Sequence, residues 1–212
     1  MDAITALRSR RSCRHFLPDD IDAGVLATVL GAARTAPSAG NTWALDLVVL
    51  QGSDQTGAYW DVTLPRGPRR DAFRWPGLLR APVLVLAVVD PSAYVRRYGE
   101  PDKAASGLGD GLEAWAVPYW WVDAGAAVMA MLVAAEAAGL GALLFGQFEH
   151  EAAVGATFGI PADRHPVGTI ALGHPDVAGG ASASASVRRR PRPSLEEIVH
   201  PGGWSVRTGG GP

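Results

Sequence analysis

The chain has 212 residues, enough for one large domain or two small ones, and 48% are apolar, so a sizeable core is possible. The formal net charge is only −2, which excludes a global electrostatic attraction to nucleic acid or to an anionic membrane. The single cysteine, Cys13, excludes an intramolecular disulfide framework and fits a reducing cytoplasm. No apolar segment follows the charged N-terminus, so no signal peptide is predicted.

The first part of the chain predicts two helices and two strands. The helices cover residues 2–9 and 22–34, and Asp22 caps the second, which ends before Pro37. Apolar runs at residues 45–50 and 82–89 predict strands. The second run is continuous, as in a strand buried on both faces.

The middle of the chain is less regular. Residues 94–98 are predicted to belong to a short helix, and residues 99–118 form a loop of a length typical of functional or mobile segments. Asp123 then opens a long Ala-rich helix that ends at Gly139. Glu136 and several glycines interrupt the apolar stretch 124–144, which therefore predicts a buried helix and strand and not a membrane span.

The last third predicts a strand at residues 141–145, a helix at 149–158 and a strand at 167–172. A Gly/Ala/Ser linker at residues 179–186 precedes a short helix near residues 195–199. Helices and strands mix without regular alternation, which predicts an α+β fold.

Two N-terminal motifs suit a phosphorylated, hydrogen-bonding ligand such as flavin mononucleotide (FMN). In Arg10-Arg11-Ser12-Cys13-Arg14, alternate side chains of an extended segment share one side, and guanidinium groups suit a phosphate. Pro37-Ser38-Ala39-Gly40-Asn41 offers N–H groups and small polar side chains at the end of a helix. Alone, each is typical of a solvated basic turn or a helix stop, whereas the conjunction favours a ligand site.

Two further segments allow alternatives. Gly146, after the strand at 141–145, permits a close approach of the backbone to a ligand, but a tight turn would need a glycine as well. The four arginines of residues 188–192 are, taken alone, typical of a disordered tail or a nucleic-acid patch.

Other cofactor signatures are missing from the sequence. No G-x-G-x-x-G follows a strand, there is no Walker lysine motif, and the five histidines show no metal-ligand spacing, so no metal site is predicted. Arginines around Cys13 would lower the pKa of its thiol, yet we expect this residue to be a small filler beside the phosphate site.

These motifs resemble the FMN-dependent nitroreductase family, in which R-R-S-x-R is followed by P-S-x-x-N, and the resemblance extends from residue 4 to residue 199. It implies a nitroreductase-like α+β fold, with a central mixed, mostly antiparallel sheet flanked by helices, in a domain-entwined homodimer. One FMN-binding domain would cover residues 1–200, with 99–118 as a lid-like excursion and 179–200 as a C-terminal arm. Residues 201–212 would be a flexible tail.

The resemblance also implies a cofactor site at the subunit interface. One subunit would supply the R-R-S-x-R cluster and the C-terminal arginines, and the other would supply P-S-x-x-N. Arg14 would stabilise the reduced flavin electrostatically, and no side chain need act as acid or base, because the cofactor carries the chemistry. The residues expected to bind FMN are Arg10, Arg11, Ser12, Arg14, Pro37, Ser38, Ala39, Asn41, Phe145, Gly146, Gln147, Arg190 and Arg192.

The sequence departs from the family pattern after Asn41, where Trp43 stands in place of a common glutamine. The expected substrate pocket consists of Trp43, Trp115, Tyr119 and Trp120, and these aromatics either line it or block it. Residues 57–75 follow no family pattern. Their arginines, Arg69, Arg70 and Arg74, are candidates for contacts with the pyrimidine edge of the flavin.

The implied function is that of a cytoplasmic FMN-dependent NAD(P)H oxidoreductase, which reduces nitro-aromatic, quinone or related small acceptors by ping-pong hydride transfer. NADH and NADPH are both open as donors. One alternative is a specialised member of the same fold, such as a dehydrogenase, dehalogenase or flavin-fragmenting synthase. Another is a non-catalytic flavin-binding or flavin-sequestering protein. The expected partners are a second copy of the chain and a small-molecule acceptor, without nucleic acid or membrane.

Overall fold

The computed structural model describes residues 1–179 and 192–204, and its first two helices are α1 (Ala3–Ser9) and α2 (Ala23–Ala32). Asp2 and Asp22 cap them by accepting hydrogen bonds from backbone N–H groups of the first turn. A 3-10 turn, Ala33–Thr35, extends α2 toward Pro37. Both predicted helices and the aspartate cap of the second are confirmed.

A four-stranded antiparallel sheet forms the centre of the fold. Its strands are β1 (Leu45–Gln51), β2 (Val83–Val89), β3 (Gly141–Phe145) and β4 (His165–Gly173). Their order in the sheet is β1-β2-β4-β3. The predicted strands and the mostly antiparallel sheet are confirmed.

Helices flank the sheet. Those after α2 are α3 (Gly52–Thr63), α4 (Pro68–Asp71), α5 (Pro91–Tyr98), α6 (Tyr119–Ala137) and α7 (Glu151–Phe158). A short helix of the C-terminal part of the chain, α8, covers Leu195–Ile198. The sequence predicted neither α3 nor α4.

The alternating side chains of β2 show how the sheet separates two cores. Val83 and Val85 belong to a cluster with residues of α2 and α6, whereas Leu84 and Leu86 belong to a cluster with residues of α3 and α7. All seven residues of β2 are buried. The prediction of a strand covered on both faces is therefore confirmed.

The long helix α6 begins earlier than predicted. It starts at Tyr119, after Pro118, so Asp123 lies inside the helix and does not cap it. The prediction failed because the helix buries Trp120 in an aromatic cluster, which favours helix in a segment without a polar capping residue. Gly139, at φ +76°, lies just past the end of the helix and confirms the predicted terminating glycine.

Among the described residues, α6 is long and apolar enough to cross a membrane by length and composition alone. One side of it packs into the core through residues such as Ala124, Val128 and Met131. A core helix of a globular domain meets the same criterion, and this packing agrees with the predicted buried helix.

Residues 99–118 hold two 3-10 turns, Ala104–Ser106 and Leu112–Ala114. By its internal contacts the chain divides into Met1–Ala181 and Ser182–Pro212. Within the second unit, Ser194 and Glu197 form a capping box at α8.

Candidate active site

The fold brings the R-R-S-C-R segment alongside the first residues of β3. Ser12 forms an isolated parallel bridge with Ala142, and the Cys13 N–H donates to the Ala142 carbonyl at 2.9 Å. Because β3 runs on to Phe145, Gly146 and Gln147, two motifs far apart in sequence approach the same place. The structure thus joins two of the predicted cofactor segments.

These segments share one cavity, here called the Arg14 cavity, of about 380 Å³. Arg14 lines it together with Phe145, Gly146 and Gln147. The Arg14 guanidinium carbon lies 5.3 Å from the ring centroid of Trp75, a cation–π contact. A positive charge therefore lies beside a half-open cavity that is lined largely by aromatic side chains.

Aromatic side chains of α3 form another wall of the Arg14 cavity. Trp60 stacks on Phe145, with ring centroids 5.8 Å apart and planes at 7°. The Tyr59 hydroxyl lies 2.9 Å from the Thr169 hydroxyl, to which the Gln147 side chain also donates. Burial raises the pKa of the Tyr59 phenol to about 12, so this tyrosine stays neutral at physiological pH.

A second cavity, the Ser38 cavity, has a volume of about 280 Å³ and shares no lining residue with the first. Pro37, Ser38, Trp43 and Trp120 line it, and its walls are mainly apolar side chains of α2, β1 and α6. Of the predicted cofactor residues, Arg14, Phe145, Gly146 and Gln147 line the first cavity and Pro37 and Ser38 line the second. The predicted residues Arg10, Arg11, Ser12, Ala39 and Asn41 line neither. The resemblance implies that the two motifs of one subunit serve different sites, and within one chain Arg14 and Ser38 lie at separate cavities.

Hydrogen bonds from distant parts of the chain hold the turn at residues 37–41. The Ala39 N–H and the Tyr94 hydroxyl each donate to Asp123 Oδ2 at 2.7 Å. The Arg97 Nε donates to the Gly40 carbonyl at 2.8 Å. Burial, followed by the hydrogen bond to Asp123, raises the pKa of the Tyr94 phenol, which stays a donor.

Unpartnered polar atoms mark both cavities. Among the described residues, the buried side-chain nitrogen and oxygen atoms without a hydrogen-bond partner are Arg10 Nε, Ser38 Oγ and Trp60 Nε1. Arg10 and Ser38 are predicted cofactor ligands, and Trp60 lines the Arg14 cavity. Because an unpaired buried polar group is costly, each of these atoms can accommodate a polar partner, although Arg10 lines neither cavity.

Backbone strain concentrates in the same motifs. In the described part of the chain, the non-glycine residues with positive φ are Asn41 at 56°, Trp43 at 53° and Phe148 at 50°. The Trp43 indole N–H donates to Asn41 Oδ1 at 2.6 Å, which turns the amide nitrogen of Asn41 away from Trp43. Such conformations cluster at functional sites, where surrounding contacts maintain them.

Other residues of the N-terminal motif have local contacts. Arg11 Nη1 donates to the carbonyls of Arg8, Ser9 and Arg10, so its side chain covers the end of α1. Cys13 Sγ would lie 2.6 Å from a Cβ built on Gly141. Burial raises the pKa of the Cys13 thiol despite the neighbouring Arg14, as suits a packing residue.

The remaining predicted residues are dispersed. Arg190 lies outside the described residues, and Arg192 is exposed within the second unit. Of the expected substrate-pocket residues, Trp43 and Trp120 line the Ser38 cavity. Trp115 is buried against Tyr94 and Tyr98, and Tyr119 is exposed.

The three arginine candidates of residues 57–75 do not line either cavity. Arg70 pairs with Asp61 at 2.7 Å, and Arg74 lies over the Trp75 ring at 5.2 Å. The cavity residues of this region are aromatic instead, namely Trp60, Phe73 and Trp75.

Several site residues were missed from the sequence. Trp60 and Tyr59 could have been found from the helical spacing of Thr56, Tyr59 and Trp60, which are buried together on α3. Asp123 was noticed only as a helix cap. Nothing local in the sequence indicates that its carboxylate receives the Ala39 N–H, because 84 residues separate the two.

The fold and site define an oxidoreductase of the nitroreductase class, and the chain belongs to the Nitroreductase family, whose model it matches over residues 7–174. A protein of Thermus thermophilus named NADH dehydrogenase is 28% identical over 207 residues, covering 89% of this chain and 94% of its own. The predicted class, a flavin-linked NAD(P)H oxidoreductase, is confirmed.

Solved structures share the fold. NfrA2 of B. megaterium superposes with a TM-score of 0.70 at 22% identity, over 97% of this chain and 76% of its own. The NADPH:FMN oxidoreductase of Vibrio harveyi, solved with NAD+, gives a TM-score of 0.68 at 19% identity, over 97% of this chain and 79% of its own.

Proposed function

We propose that the chain is an FMN-dependent NAD(P)H oxidoreductase that reduces nitro-aromatic, quinone or related small organic acceptors. Arg10, Ser12 and Arg14 of one subunit, with the Gly146–Gln147 backbone, would hold the cofactor from one side. Pro37, Ser38, Ala39 and Asn41 of a second subunit would hold it from the other.

One observation carries this proposal. The motif residues Arg10 and Ser38 each hold a buried polar atom without a partner, and they belong to the two separate motifs that the family joins around one flavin. A phosphorylated, hydroxyl-bearing and carbonyl-rich cofactor provides acceptors for such donors. FMN has this chemistry.

When bound, FMN supplies the hydride-transfer chemistry between the nicotinamide and the acceptor. The residues of the chain bind, orient and tune it. Arg14 places a guanidinium charge at the cavity, where it stabilises extra negative charge on a reduced ring. The aromatic wall of Trp60, Trp75 and Phe145 offers apolar ring faces, which suit planar molecules.

The same proposal includes a homodimer. Exposed apolar side chains lie on the outer side of α6 at Val122 and Met129, and on α1 at Ile4 and Leu7. Exposed apolar side chains of this kind are typical of an interface. Burying it against a second copy would also bring a Ser38 turn to each Arg14 cavity.

An absorption spectrum of the purified protein, followed by anaerobic addition of NADPH and NADH, tests the proposal. We expect a yellow protein that bleaches on addition of at least one nicotinamide. A yellow protein that no nicotinamide bleaches would favour flavin sequestration or another donor. A colourless protein that takes up no added FMN would refute the proposal.

A further inference from the structure

Residues far from the 37–41 turn in sequence hold this turn in place. Helix α5 supplies three of its contacts, through Tyr94, Arg97 and Tyr98. Tyr94 acts indirectly, because its hydroxyl shares Asp123 Oδ2 with the Ala39 N–H. Arg97 acts directly on the Gly40 carbonyl.

The absence of a side chain at Gly40 lets α5 pack closely against the turn. Its φ is +63°, and a Cβ built on it would lie 2.7 Å from the ring of Tyr98. The ring therefore packs against the bare backbone of the turn. Only a glycine permits both this conformation and this approach.

The Arg97 guanidinium is itself fixed by segment 99–118. Its Nη1 and Nη2 pair with the two carboxylate oxygens of Asp102 at 2.7 and 2.8 Å, while Nε is directed to Gly40. A two-pronged pair of this type sets the plane of the guanidinium as well as its position. The hydrogen bond to Asp102 raises the pKa of Arg97, and the hydrogen bond from Arg97 lowers the pKa of Asp102.

We propose that Arg97 is a positioning residue of the flavin site, which holds the 37–41 turn through the Gly40 carbonyl and is oriented by Asp102. Segment 99–118 then acts as a support for the turn and not only as a cover for the site. This inference rests on the proposed function, in which the turn contacts FMN.

The chain offers a matched set of variants. Arg97→Ala removes the contact with the turn, and Asp102→Asn weakens the orientation of the guanidinium. Arg97→Lys keeps the positive charge but cannot bind Gly40 and Asp102 with separate nitrogens at once. Glu100→Gln is the control, because Glu100 contacts Arg97 Nη1 at 2.9 Å but is not part of the two-pronged pair. Glu100 and Asp102 are both more than half exposed, and Arg97, which is 23% exposed, keeps one carboxylate partner in Asp102→Asn and in Glu100→Gln. None of these changes therefore leaves a buried charge unpaired.

Amide hydrogen exchange on the full-length protein measures how well the turn is ordered, and it does so whether or not flavin is bound. A peptide spanning residues 37–44 should exchange faster in Arg97→Ala and Asp102→Asn than in wild type, and at the wild-type rate in Glu100→Gln. Unchanged exchange in Arg97→Ala would overturn the inference. This holds whether or not the wild-type protein binds FMN.

Flavin binding and reduction separate positioning from mere structural support. We expect the dissociation constant for FMN to rise about tenfold in Arg97→Ala, since a charged hydrogen bond orders the turn. Arg97→Lys should recover part of this loss, and the rate of reduction at saturating FMN should stay within about twofold of wild type, because the Arg14 side is intact. Faster exchange with unchanged FMN affinity would refute the positioning role. Failure of the wild-type protein to bind FMN would instead refute the proposed function.

Discussion

The individual side chains of the site differ in whether their polar groups are already satisfied. Ser38 Oγ is buried without a partner, whereas the Thr169 hydroxyl contacts both Tyr59 and Gln147. A hydroxyl that makes no hydrogen bond adds nothing to the folded state, and removing it costs nothing there. Ser38 is therefore better explained by what it binds than by what it stabilises.

Ser38→Ala should not lower the free energy of unfolding of the flavin-free protein and should raise it, by up to about 1–3 kcal/mol, because it removes an unsatisfied buried hydroxyl. The same change should weaken FMN binding about fivefold, because the bound state loses one hydrogen bond. Thr169→Val is the matched control and should lose about 1–3 kcal/mol of stability, since it leaves buried partners unsatisfied. Urea denaturation and FMN titration provide the two measurements. A strongly destabilised Ser38→Ala protein would contradict the assignment.

Arg14 is expected to act on flavin reduction more than on flavin retention. Arg14→Ala should slow reduction of the bound flavin by NADPH about 100-fold, the typical effect of removing one preorganised charge. Stopped-flow absorbance measures the rate, and equilibrium titration measures retention. Arg74→Ala is a suitable control, because Arg74 also lies over Trp75 but does not line the cavity. Wild-type reduction rates in Arg14→Ala would refute the role.

At the scale of elements, strong local patterns were predictable and tertiary contacts were not. The apolar runs of β1–β4 and the aspartate caps of α1 and α2 determine those elements locally. Helix α3 contains Gly52, Gly57 and several polar residues, so its propensity is low, and the burial of Tyr59 and Trp60 stabilises it instead. The aromatic wall of the Arg14 cavity was missed for the same reason.

In the candidate site, too, the local sequence motifs were predictable and the long-range contacts were not. The motifs at residues 10–14, 37–41 and 145–147 could be identified from short sequence patterns. Of their residues, Arg14 and 145–147 line one cavity, and Pro37 and Ser38 line the other. The supports of those motifs could not, because Asp123 and Arg97 reach the turn across 84 and 57 residues of sequence. Long-range hydrogen bonds leave no periodicity in a sequence.

Helix α5 offers a stability test, because it begins at Asp90, the capping residue of its first turn. Burial alone would raise the pKa of the Asp90 carboxyl, but hydrogen bonds from Ser92 and Arg96, with the charge of Arg164, together lower it. A lowered pKa stabilises the fold fully above the ordinary value of 3.8. That contribution is lost as the pH falls through the lower, folded-state pKa.

Asp90→Asn should therefore cost about 1–3 kcal/mol of unfolding free energy at pH 7, where it removes charge-assisted hydrogen bonds. The difference from wild type should shrink as the pH falls below about 4. Urea denaturation across this range measures it. Ser53→Ala, on the exposed start of α3, is a control that should show no such trend. A constant difference at all pH values would contradict the assignment.

At the scale of the whole molecule, the proposed homodimer would pair the Arg14 cavity of one chain with the Ser38 turn of the other. The helix α6 presents Val122, Gly125 and Met129 at the exposed positions i, i+3 and i+7 of one stripe. No atom lies within 4 Å of a Cβ built on Gly125, so this part of the stripe is open to a neighbour. Pairing through α6 would cover apolar surface and complete two flavin sites at once.

A charge on this stripe should thus abolish the dimer and flavin binding together. Met129→Glu should fold, because the side chain is 37% exposed, yet light scattering coupled to size exclusion should find a monomer. Its flavin content should fall with it, since each site would lose its Ser38 turn. Val177→Glu, at a side chain that is 90% exposed away from α6, should remain a yellow dimer. A Met129→Glu monomer that retained FMN would show that one chain suffices for the site, and a Met129→Glu dimer would place the interface elsewhere.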